Sequence, residues 1–249
     1  MLLRARIGAC LEKKRLRDRE TMHLRELAEW NQKLEQRVQE QVSLLDRLGK
    51  LKRFFSPQLA ELIVAGGADD PLTTHRRELT VCFLDLRGFT AFAESVEPEE
   101  VMGVLRQYHA DMGRLVMEHE GTLERFTGDG MMVFFNDPVP VANAAERTVR
   151  MALAMRRRVT ELIVSWRSMG YELELGIGIA QGYATIGAIG PVTNLAARLC
   201  GEAKPGQILV SRRLLAATGE LFQAESVGEL ALKGMKRPVT AFNIIAPRK

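Results

Sequence analysis

Cysteine is scarce in this chain of 249 residues, which contains Cys10, Cys82 and Cys200. An odd number of widely spaced cysteines forms neither a disulfide framework nor the paired spacing of a structural zinc site. The scarcity therefore excludes a small, disulfide-stabilised fold. It predicts a chain that works in a reducing, cytoplasmic setting.

Long apolar runs are absent as well. No stretch approaches the roughly 20 apolar residues of a membrane-spanning helix, and no secretory signal opens the sequence. The sequence also shows no internal repeat and no low-complexity tract. With 46% hydrophobic residues, the chain can bury one substantial core and carry an additional helical segment. We therefore expect no membrane span.

A strongly basic patch is missing too, although the formal net charge is +4. Residues 1–23 hold seven of the 35 basic residues and three of the 31 acidic ones, so the remainder carries 28 of each. Nucleic-acid binding typically shows as basic residues clustered on one face, and no such cluster interleaved with aromatic residues occurs. We therefore expect no nucleic-acid partner.

Residues 1–20 differ in character from the rest of the chain. An apolar stripe at helical spacing precedes a basic run at residues 13–15, and the stripe consists of Leu2, Leu3, Ile7, Cys10 and Leu11. The segment resembles the last helix of a response-regulator receiver domain. This resemblance implies a receiver-type input domain upstream. A plain extension of the next predicted helix is the alternative.

Residues 21–57 are predicted to form a parallel coiled coil. Seven of the ten core positions in the heptads between residues 24 and 55 are apolar. These positions are Leu24, Asn31, Val38, Leu45 and Lys52 in one row and Leu27, Leu34, Gln41, Leu48 and Phe55 in the other. The asparagine in the first row is a candidate register-setting residue. A single amphipathic helix lying on its own domain is the alternative. Pro57 ends the segment, and residues 58–75 are expected to form a linker.

Residues 76–249 alternate between the strand period and the helix period. Strands are predicted over 78–84, 122–126, 131–135, 171–180 and 183–186 and near 207–210 and 239–245, and helices over 98–118, 142–168 and 192–200. The order strand–helix–strand–strand–helix–strand is that of an α+β fold of ferredoxin-like βαββαβ type. We therefore expect one α+β domain after the N-terminal helix.

Two carboxylates stand at notable places in this pattern. Asp85 ends the apolar run Val81–Leu84, ahead of a glycine-containing turn that opens a helix. Asp129 lies at the tip of a predicted hairpin, where Gly130 would supply positive φ. Each alone could be an ordinary turn or cap residue. Together, at the ends of neighbouring strands beside a helix N-terminus, they could hold two divalent cations against a triphosphate.

Three motifs carry a resemblance to a known family. They are Phe-Leu-Asp-Leu-Arg-Gly-Phe-Thr at 83–90, Arg-Phe-Thr-Gly-Asp-Gly at 125–130 and Asn-Leu-Ala-Ala-Arg at 194–198. In this order they resemble the catalytic domain of class III nucleotidyl cyclases, and the resemblance covers roughly residues 76–247. It implies a reaction in which the ribose 3′-oxygen attacks the α-phosphorus of a nucleoside triphosphate.

The resemblance also implies roles for individual residues. Asp85 and Asp129 match the two metal-binding aspartates, and the carbonyl of Leu86 would add a ligand. The amides of Gly88, Phe89 and Thr90 would bind phosphate, as would a lysine at Lys233 or Lys236. Asn194 would position the ribose, and Arg198 would stabilise charge on the α-phosphate; four residues apart, both lie on one helix face.

Two positions depart from the family pattern. Arg125 stands where the family has an adenine-reading lysine; guanylate-type enzymes have glutamate there, so Arg125 favours ATP over GTP. Gly187 falls where the second base-reading side chain, aspartate or threonine, is expected. The segment between Tyr183 and Asn194 is also shorter than in the family. Either this is a true deletion, or a loop is absent from this sequence. The Ile-Gly pairs at 186–187 and 189–190 favour the second explanation.

The sequence thus predicts an adenylate cyclase that converts ATP to 3′,5′-cyclic AMP and pyrophosphate. We expect two Mg²⁺ or Mn²⁺ ions per active site. The resemblance implies a parallel homodimer in which Asp85 and Asp129 of one chain face Arg125, Asn194 and Arg198 of the other. Alternatives are a catalytically degenerate module that binds nucleotide or dimerises, and a guanylate cyclase.

Overall fold

The computed structural model describes residues 22, 30, 37, 75–185 and 190–248. The chain divides into two compact units, residues 1–54 and 55–249. In the first unit, Met22, Trp30 and Arg37 are helical and exposed to solvent. The heptad core positions of the predicted coiled coil, the receiver-like segment and the linker at 58–74 lie outside the described residues.

The second unit is an α+β domain built on a seven-stranded sheet. Its strands are β1 (Arg76–Arg87), β2 (Thr122–Thr127), β3 (Gly130–Phe135), β4 (Glu174–Thr185), β5 (Ile208–Ser211), β6 (Phe222–Leu230) and β7 (Val239–Pro247). Its helices are α1 (Phe89–Ser95), α2 (Pro98–Glu118), α3 (Ala144–Ser168), α4 (Pro191–Glu202) and α5 (Arg212–Ala217). The strand order across the sheet is β2-β3-β1-β4-β5-β7-β6.

The ferredoxin-like prediction is confirmed. Strands β4, β1, β3 and β2 are adjacent in that order, and all three pairings are antiparallel. Helix α2 connects β1 to β2 and helix α3 connects β3 to β4, which gives the expected βαββαβ order. Strand β5 joins β4 in parallel and extends the sheet on that side. Helix α2 has the bounds predicted from its apolar period, 98–118.

Successive side chains of β1 point to opposite faces of the sheet. Cys82, Leu84 and Leu86 point into the main core, which buries residues of α2 and α3 such as Tyr108 and Trp166. The opposite face is covered in part by α4. It holds a smaller core of Leu79, Val81, Ala180, Ala184, Val192, Ala196, Leu199, Ala203, Leu209, Leu232 and Ala241. Because α4 packs mainly on β4 and β1, the β1–β3–β2 part of this face is left more open.

The prediction of two strands at 171–180 and 183–186 is wrong. One continuous strand, β4, runs over Glu174–Thr185, and Gly182 lies inside it, opposite Leu79 of β1. A Cβ atom at Gly182 would lie 3.4 Å from Cβ of Val192 in α4. Gly182 is therefore an interior strand residue in ordinary van der Waals contact with a helix, not a turn residue.

Two elements were not predicted from the sequence, helix α5 and strand β6. Strand β6 is an edge strand whose exposed positions are Gln223, Glu225, Ser226, Val227 and Glu229, and its pairing with β7 shifts register twice. Polar residues and irregular pairing remove the alternating apolar signal. Among the described residues, no helix is long and apolar enough to cross a membrane.

Candidate active site

Asp85 and Asp129 are brought into contact by the pairing of β1 with β3. Asp85 lies in β1, which continues to Arg87, so it is not the strand's last residue as predicted. Asp129 lies in the two-residue turn between β2 and β3, and pairing of Leu84 with Met131 places that turn beside Asp85. The two carboxyl groups lie close enough for the negative charge of Asp85 to raise the pKa of Asp129.

The electrostatics of this pair raise the pKa of one of its members, Asp129. Burial raises the pKa of Asp129 to about 6, and the negative charge of Asp85 and the hydrogen bond between the two carboxyl groups act in the same direction. The backbone amides of Asp129 and Leu86 act in the opposite direction. A divalent cation between the two groups would relieve the same repulsion.

The hairpin turn differs from the prediction in one detail. Positive φ occurs at Gly128 (72°), the first of the two turn residues, and not at Gly130. Gly130 instead begins β3, where a Cβ atom would lie 2.5 Å from Oγ1 of Thr127. Glycine at the first central position suits the tight turns that match the twist of paired strands.

His109 of α2 supports the same hairpin. Its Nε2 lies 2.8 Å from the carbonyl oxygen of Gly128, and its ring centroid lies 4.1 Å from that of Phe126. Sequence reasoning missed this residue because a helix position twenty residues before the aspartate carries no motif signal. The contact ties α2 to the turn that presents Asp129.

Arg87 contacts Asp85 directly and also reaches another element. Its Nη1 donates to Oδ2 of Asp85 at 2.6 Å, and its Nε donates to the carbonyl oxygen of Ala203 at 3.1 Å. Its Nη2 donates to the carbonyl oxygen of Cys200. Both carbonyls belong to the C-terminal end of α4. Arg87 stands inside the first motif, yet sequence reasoning assigned it no role.

Gly88, Phe89 and Thr90 form the start of α1, as predicted. Gly88 is the N-cap and has a left-handed conformation with φ of 82°. A Cβ atom there would lie 2.5 Å from the carbonyl oxygen of Glu172, so both the backbone angle and the space require glycine. The turn therefore leads β1 directly into α1 beside Asp85.

A groove of about 530 Å³ lies on the open part of the sheet, next to α4. Its apolar floor is formed by residues of β1 and β3, among them Phe83, Met132 and Phe134. Arg125 and Asn194 both line it. Its remaining lining residues are Leu79, Val81, Glu124, Thr127, Ala184, Thr185, Thr193 and Ala197, so Asp85 and Asp129 do not line it. Arg125 and Asn194 of a chain thus line one groove, and Asp85 and Asp129 of the same chain are not among its lining residues.

The remaining predicted site residues are exposed. Arg198 lies one helical turn after Asn194 on α4. Lys233 and Lys236 lie in the loop between β6 and β7, and neither contributes to the groove lining. The guanidinium of Arg125 is paired with the carboxylate of Glu124, its neighbour in sequence, at an Nη2–Oε1 distance of 2.6 Å. Gly187 lies outside the described residues.

The part of the chain that contains this site matches a known family. Residues 73–246 match the profile of the family described as the adenylate and guanylate cyclase catalytic domain. The adenylate cyclase 1 of Rhizobium meliloti (strain 1021) is 29% identical over 184 residues, which are 68% of this chain and 28% of that protein. The chain therefore spans well under half the length of this curated relative.

Two solved structures resemble the domain closely. The adenylyl cyclase CyaB from P. aeruginosa is 35% identical with a TM-score of 0.68, covering 72% of this chain and 98% of that one. The guanylyl cyclase Cya2 is 30% identical with a TM-score of 0.65, covering 72% of this chain and 96% of that one. A protein named as an adenylyl cyclase and a protein named as a guanylyl cyclase are thus both similar to this chain.

Proposed function

Because this chain belongs to the family of adenylate and guanylate cyclase catalytic domains, we propose that it is an adenylate cyclase. It converts ATP to 3′,5′-cyclic AMP and pyrophosphate. The observation that carries the proposal is the proximity of Asp85 in β1 to Asp129 in the turn between β2 and β3, within a domain of this family.

The residues present fit divalent cations that are shared with a triphosphate. No group of three or more His, Cys, Asp or Glu side chains that could hold a metal occurs among residues 75–185 and 190–248. Mg²⁺ is commonly held by one or two carboxylates together with substrate phosphates, which is what Asp85 and Asp129 offer. Two Mg²⁺ or Mn²⁺ ions would bind there, with the carbonyl oxygen of Leu86 as an additional ligand.

In the proposed mechanism, the chain's residues bind and orient the nucleotide. Asp85 and Asp129 anchor the cations, which when bound acidify the ribose 3′-hydroxyl and neutralise the triphosphate. The amides at the start of α1 hold phosphate oxygens. Asn194 orients the ribose, and Arg198 donates hydrogen bonds to the α-phosphate as its charge develops. The 3′-oxygen loses its proton and bonds to the α-phosphorus, and the bond to pyrophosphate breaks.

We propose that two copies of the chain build each site. Arg125 and Asn194 line the groove, whereas Asp85 and Asp129 do not. The groove floor includes large apolar side chains that α4 covers only in part, Phe83, Met132 and Phe134. A second copy laid against this face would bury that surface and present its own aspartates to Arg125 and Asn194. The predicted coiled coil at 21–57 would hold the two chains parallel and link them to an upstream receiver-type domain.

Arg125 supports ATP as the substrate. Its guanidinium only donates hydrogen bonds, and the N1 atom of adenine accepts one, whereas N1–H of guanine needs an acceptor. The lysines at 233 and 236 would contact the triphosphate if their loop approaches the partner's site.

The second candidate function, a nucleotide-binding module without catalysis, is favoured by one observation: Gly187 offers no side chain for base recognition.

The decisive experiment is incubation of the purified chain with Mn²⁺ and either ATP or GTP, with chromatographic identification of the product. Cyclic AMP from ATP, with little cyclic GMP from GTP, supports the proposal. Asp85→Ala should lose nearly all turnover while its circular dichroism spectrum stays unchanged. Nucleotide binding without any cyclic product would instead support the degenerate module, and full activity of Asp85→Ala would rule out the metal-binding assignment.

A further inference from the structure

Each side-chain nitrogen of Arg87 donates to a hydrogen-bond acceptor, although the residue is outside the proposed catalytic set. Its three donor nitrogens contact the carboxylate of Asp85 in β1 and two carbonyl oxygens, those of Cys200 and Ala203, at the end of α4. The side chain is 25% exposed, so most of it is withdrawn from water. One guanidinium therefore joins a proposed metal ligand to the helix that carries Asn194 and Arg198.

The slot that holds the guanidinium has walls of backbone. Gly176 of β4 is paired with Asp85, and a Cβ atom on it would lie 2.7 Å from Nη2 of Arg87. Two residues along β4, a Cβ atom on Gly178 would lie 2.0 Å from the backbone nitrogen of Cys200. The two glycines let the guanidinium and the α4 backbone lie directly on β4. Because backbone does not change rotamer, the slot leaves Arg87 little freedom to reorient.

The chemistry of the contacts suits arginine and no other residue. The carbonyl groups at the end of a helix carry partial negative charge, and Asp85 carries a full one. The carbonyl of Cys200 also accepts from the amide of Ala203 and so receives two donors. Arginine stays charged and presents five donors in a planar fork, so it can bind all three acceptors at once. Lysine keeps the charge but has a compact ammonium that cannot replace the fork.

We propose that Arg87 is a positioning residue that fixes Asp85 and α4 relative to each other. Because the site is proposed to be shared between two chains, Asp85 serves one active site and the α4 of the same chain serves the other. Arg87 thus couples the cation-binding half of one site to the ribose- and phosphate-binding half of its neighbour. This inference rests on the proposed two-chain site, and its first test is independent of that proposal.

The first test measures binding and local opening in Arg87→Met, with Mn²⁺ alone as the probe. Loss of a residue that orients a metal ligand weakens metal binding by roughly 10- to 100-fold, so we expect the Mn²⁺ dissociation constant from electron paramagnetic resonance to rise by about tenfold. Hydrogen exchange of the α4 amides should be faster than in wild type. Addition of Mn²⁺ should slow that exchange in wild type but not in Arg87→Met.

Two further variants separate a specific role from a general loss of stability. Arg87→Lys should behave like Arg87→Met because the fork, not the charge, makes the link. Arg167→Met is the matched control, because Arg167 forms an exposed ion pair with Glu174, the β4 residue paired with Arg87. It should leave Mn²⁺ affinity and α4 exchange unchanged. Unchanged or tighter Mn²⁺ binding in Arg87→Met, or α4 exchange that responds to Mn²⁺ as in wild type, would overturn the proposal.

The second test uses enzyme activity to measure separately how Arg87 affects the cation-binding half and the ribose- and phosphate-binding half of a site. In a mixed dimer of Asp129→Ala and Arg198→Ala chains, one site is intact: its aspartates come from the Arg198→Ala chain and its helix from the Asp129→Ala chain. Both parent homodimers should be nearly inactive, so the activity reports that single site. Arg87→Met is then added to one chain or to the other.

Each placement has its own expected result. On the chain that supplies the aspartates, the Mn²⁺ concentration for half-maximal activity should rise by about tenfold. On the chain that supplies the helix, that concentration should stay unchanged while kcat falls by about tenfold, since misplacement of positioning groups by an ångström lowers rate strongly. An effect confined to one placement would refute the coupling. If the unmodified mixed dimer is inactive, the two-chain site is wrong, and the Mn²⁺ and exchange measurements still decide the role of Arg87.

Discussion

At the scale of single residues, burial and the negative charge of Asp85 raise the pKa of Asp129 from 3.8 to about 6. Between these two pH values the folded chain binds more protons than the unfolded chain. The free energy of unfolding therefore decreases as the pH rises through this window. Asp129 is half-buried, so solvent screening moderates the effect.

Asp129→Asn should remove this pH dependence. An asparagine cannot titrate, so the variant should gain stability relative to wild type as the pH rises from about 4 to about 6 and keep that gain at higher pH. Thermal unfolding of both proteins in chelator across this range measures the difference. Added Mn²⁺ at pH 7.5 should raise the Tm of wild type more than that of the variant. A constant difference in Tm between pH 4 and pH 7 would contradict the pKa assignment.

His109→Phe should lower turnover by misplacing the hairpin. The ring contact with Phe126 is retained, but the hydrogen bond to the carbonyl of Gly128 is lost. We expect kcat to fall by about tenfold, which is typical when a group that orients a metal ligand is removed. His119→Phe is the matched control, because His119 also lies at α2 and bonds a backbone carbonyl, that of Leu115. Equal losses in both variants would show a general effect on the helix.

At the scale of elements, the position of α4 on the sheet depends on close backbone approach. Gly178 of β4 lies under this helix, where a Cβ atom would be 2.0 Å from the nitrogen of Cys200 and 2.4 Å from the carbonyl oxygen of Ala196. Both of these atoms are backbone and cannot rotate away. The helix therefore occupies a position that a single methyl group would change.

Gly178→Ala should displace α4 and with it Asn194 and Arg198. We expect a loss of about 1–3 kcal/mol in the free energy of unfolding, as for an overpacked core, together with reduced kcat. Gly113→Ala is the control, because Gly113 lies within α2 with nothing near its missing Cβ, and it should gain up to about 1 kcal/mol. Urea titration gives both values. A Gly178→Ala protein with wild-type stability and activity would show that α4 is not held as described.

At the scale of the whole molecule, the proposed activity depends on association of two chains. Each copy offers a groove with Arg125 and Asn194 and, apart from it, a pair of aspartates. In the proposed two-chain arrangement, a single copy holds two halves of different sites. Its activity should rise with protein concentration until all chains are paired.

Removal of residues 1–50 should weaken this association. The heptads within this range would no longer hold two chains together, so specific activity should decrease at dilute protein and recover at high concentration. Analytical ultracentrifugation, run beside the activity assay at the same concentrations, measures both quantities. A truncated chain that is monomeric and fully active at every concentration would contradict the two-chain site.

Much of the fold and of the site could be predicted from the sequence alone. The apolar period of α2 set its bounds at 98–118, and alternation predicted the β2–β3 hairpin, since both depend on neighbours close in the chain. The motifs around Asp85 and Asp129 identified the family because residue types at fixed spacing are local information. Such features are present before any tertiary contact forms.

Tertiary structure decided what distant segments do to one another. Arg87 and the carbonyl of Cys200 are 113 residues apart in the chain, and no local pattern predicts that they meet. The continuity of β4 through Gly182 likewise depends on its pairing with β1, in which Gly182 lies opposite Leu79. Strand β6 forms by pairing with β7, although four of its nine residues are glutamate, glutamine or serine. Apolar periodicity in the sequence indicates which face of each element is buried. The contacts named here depend instead on how the elements pack against one another, and that packing is a property of the whole domain.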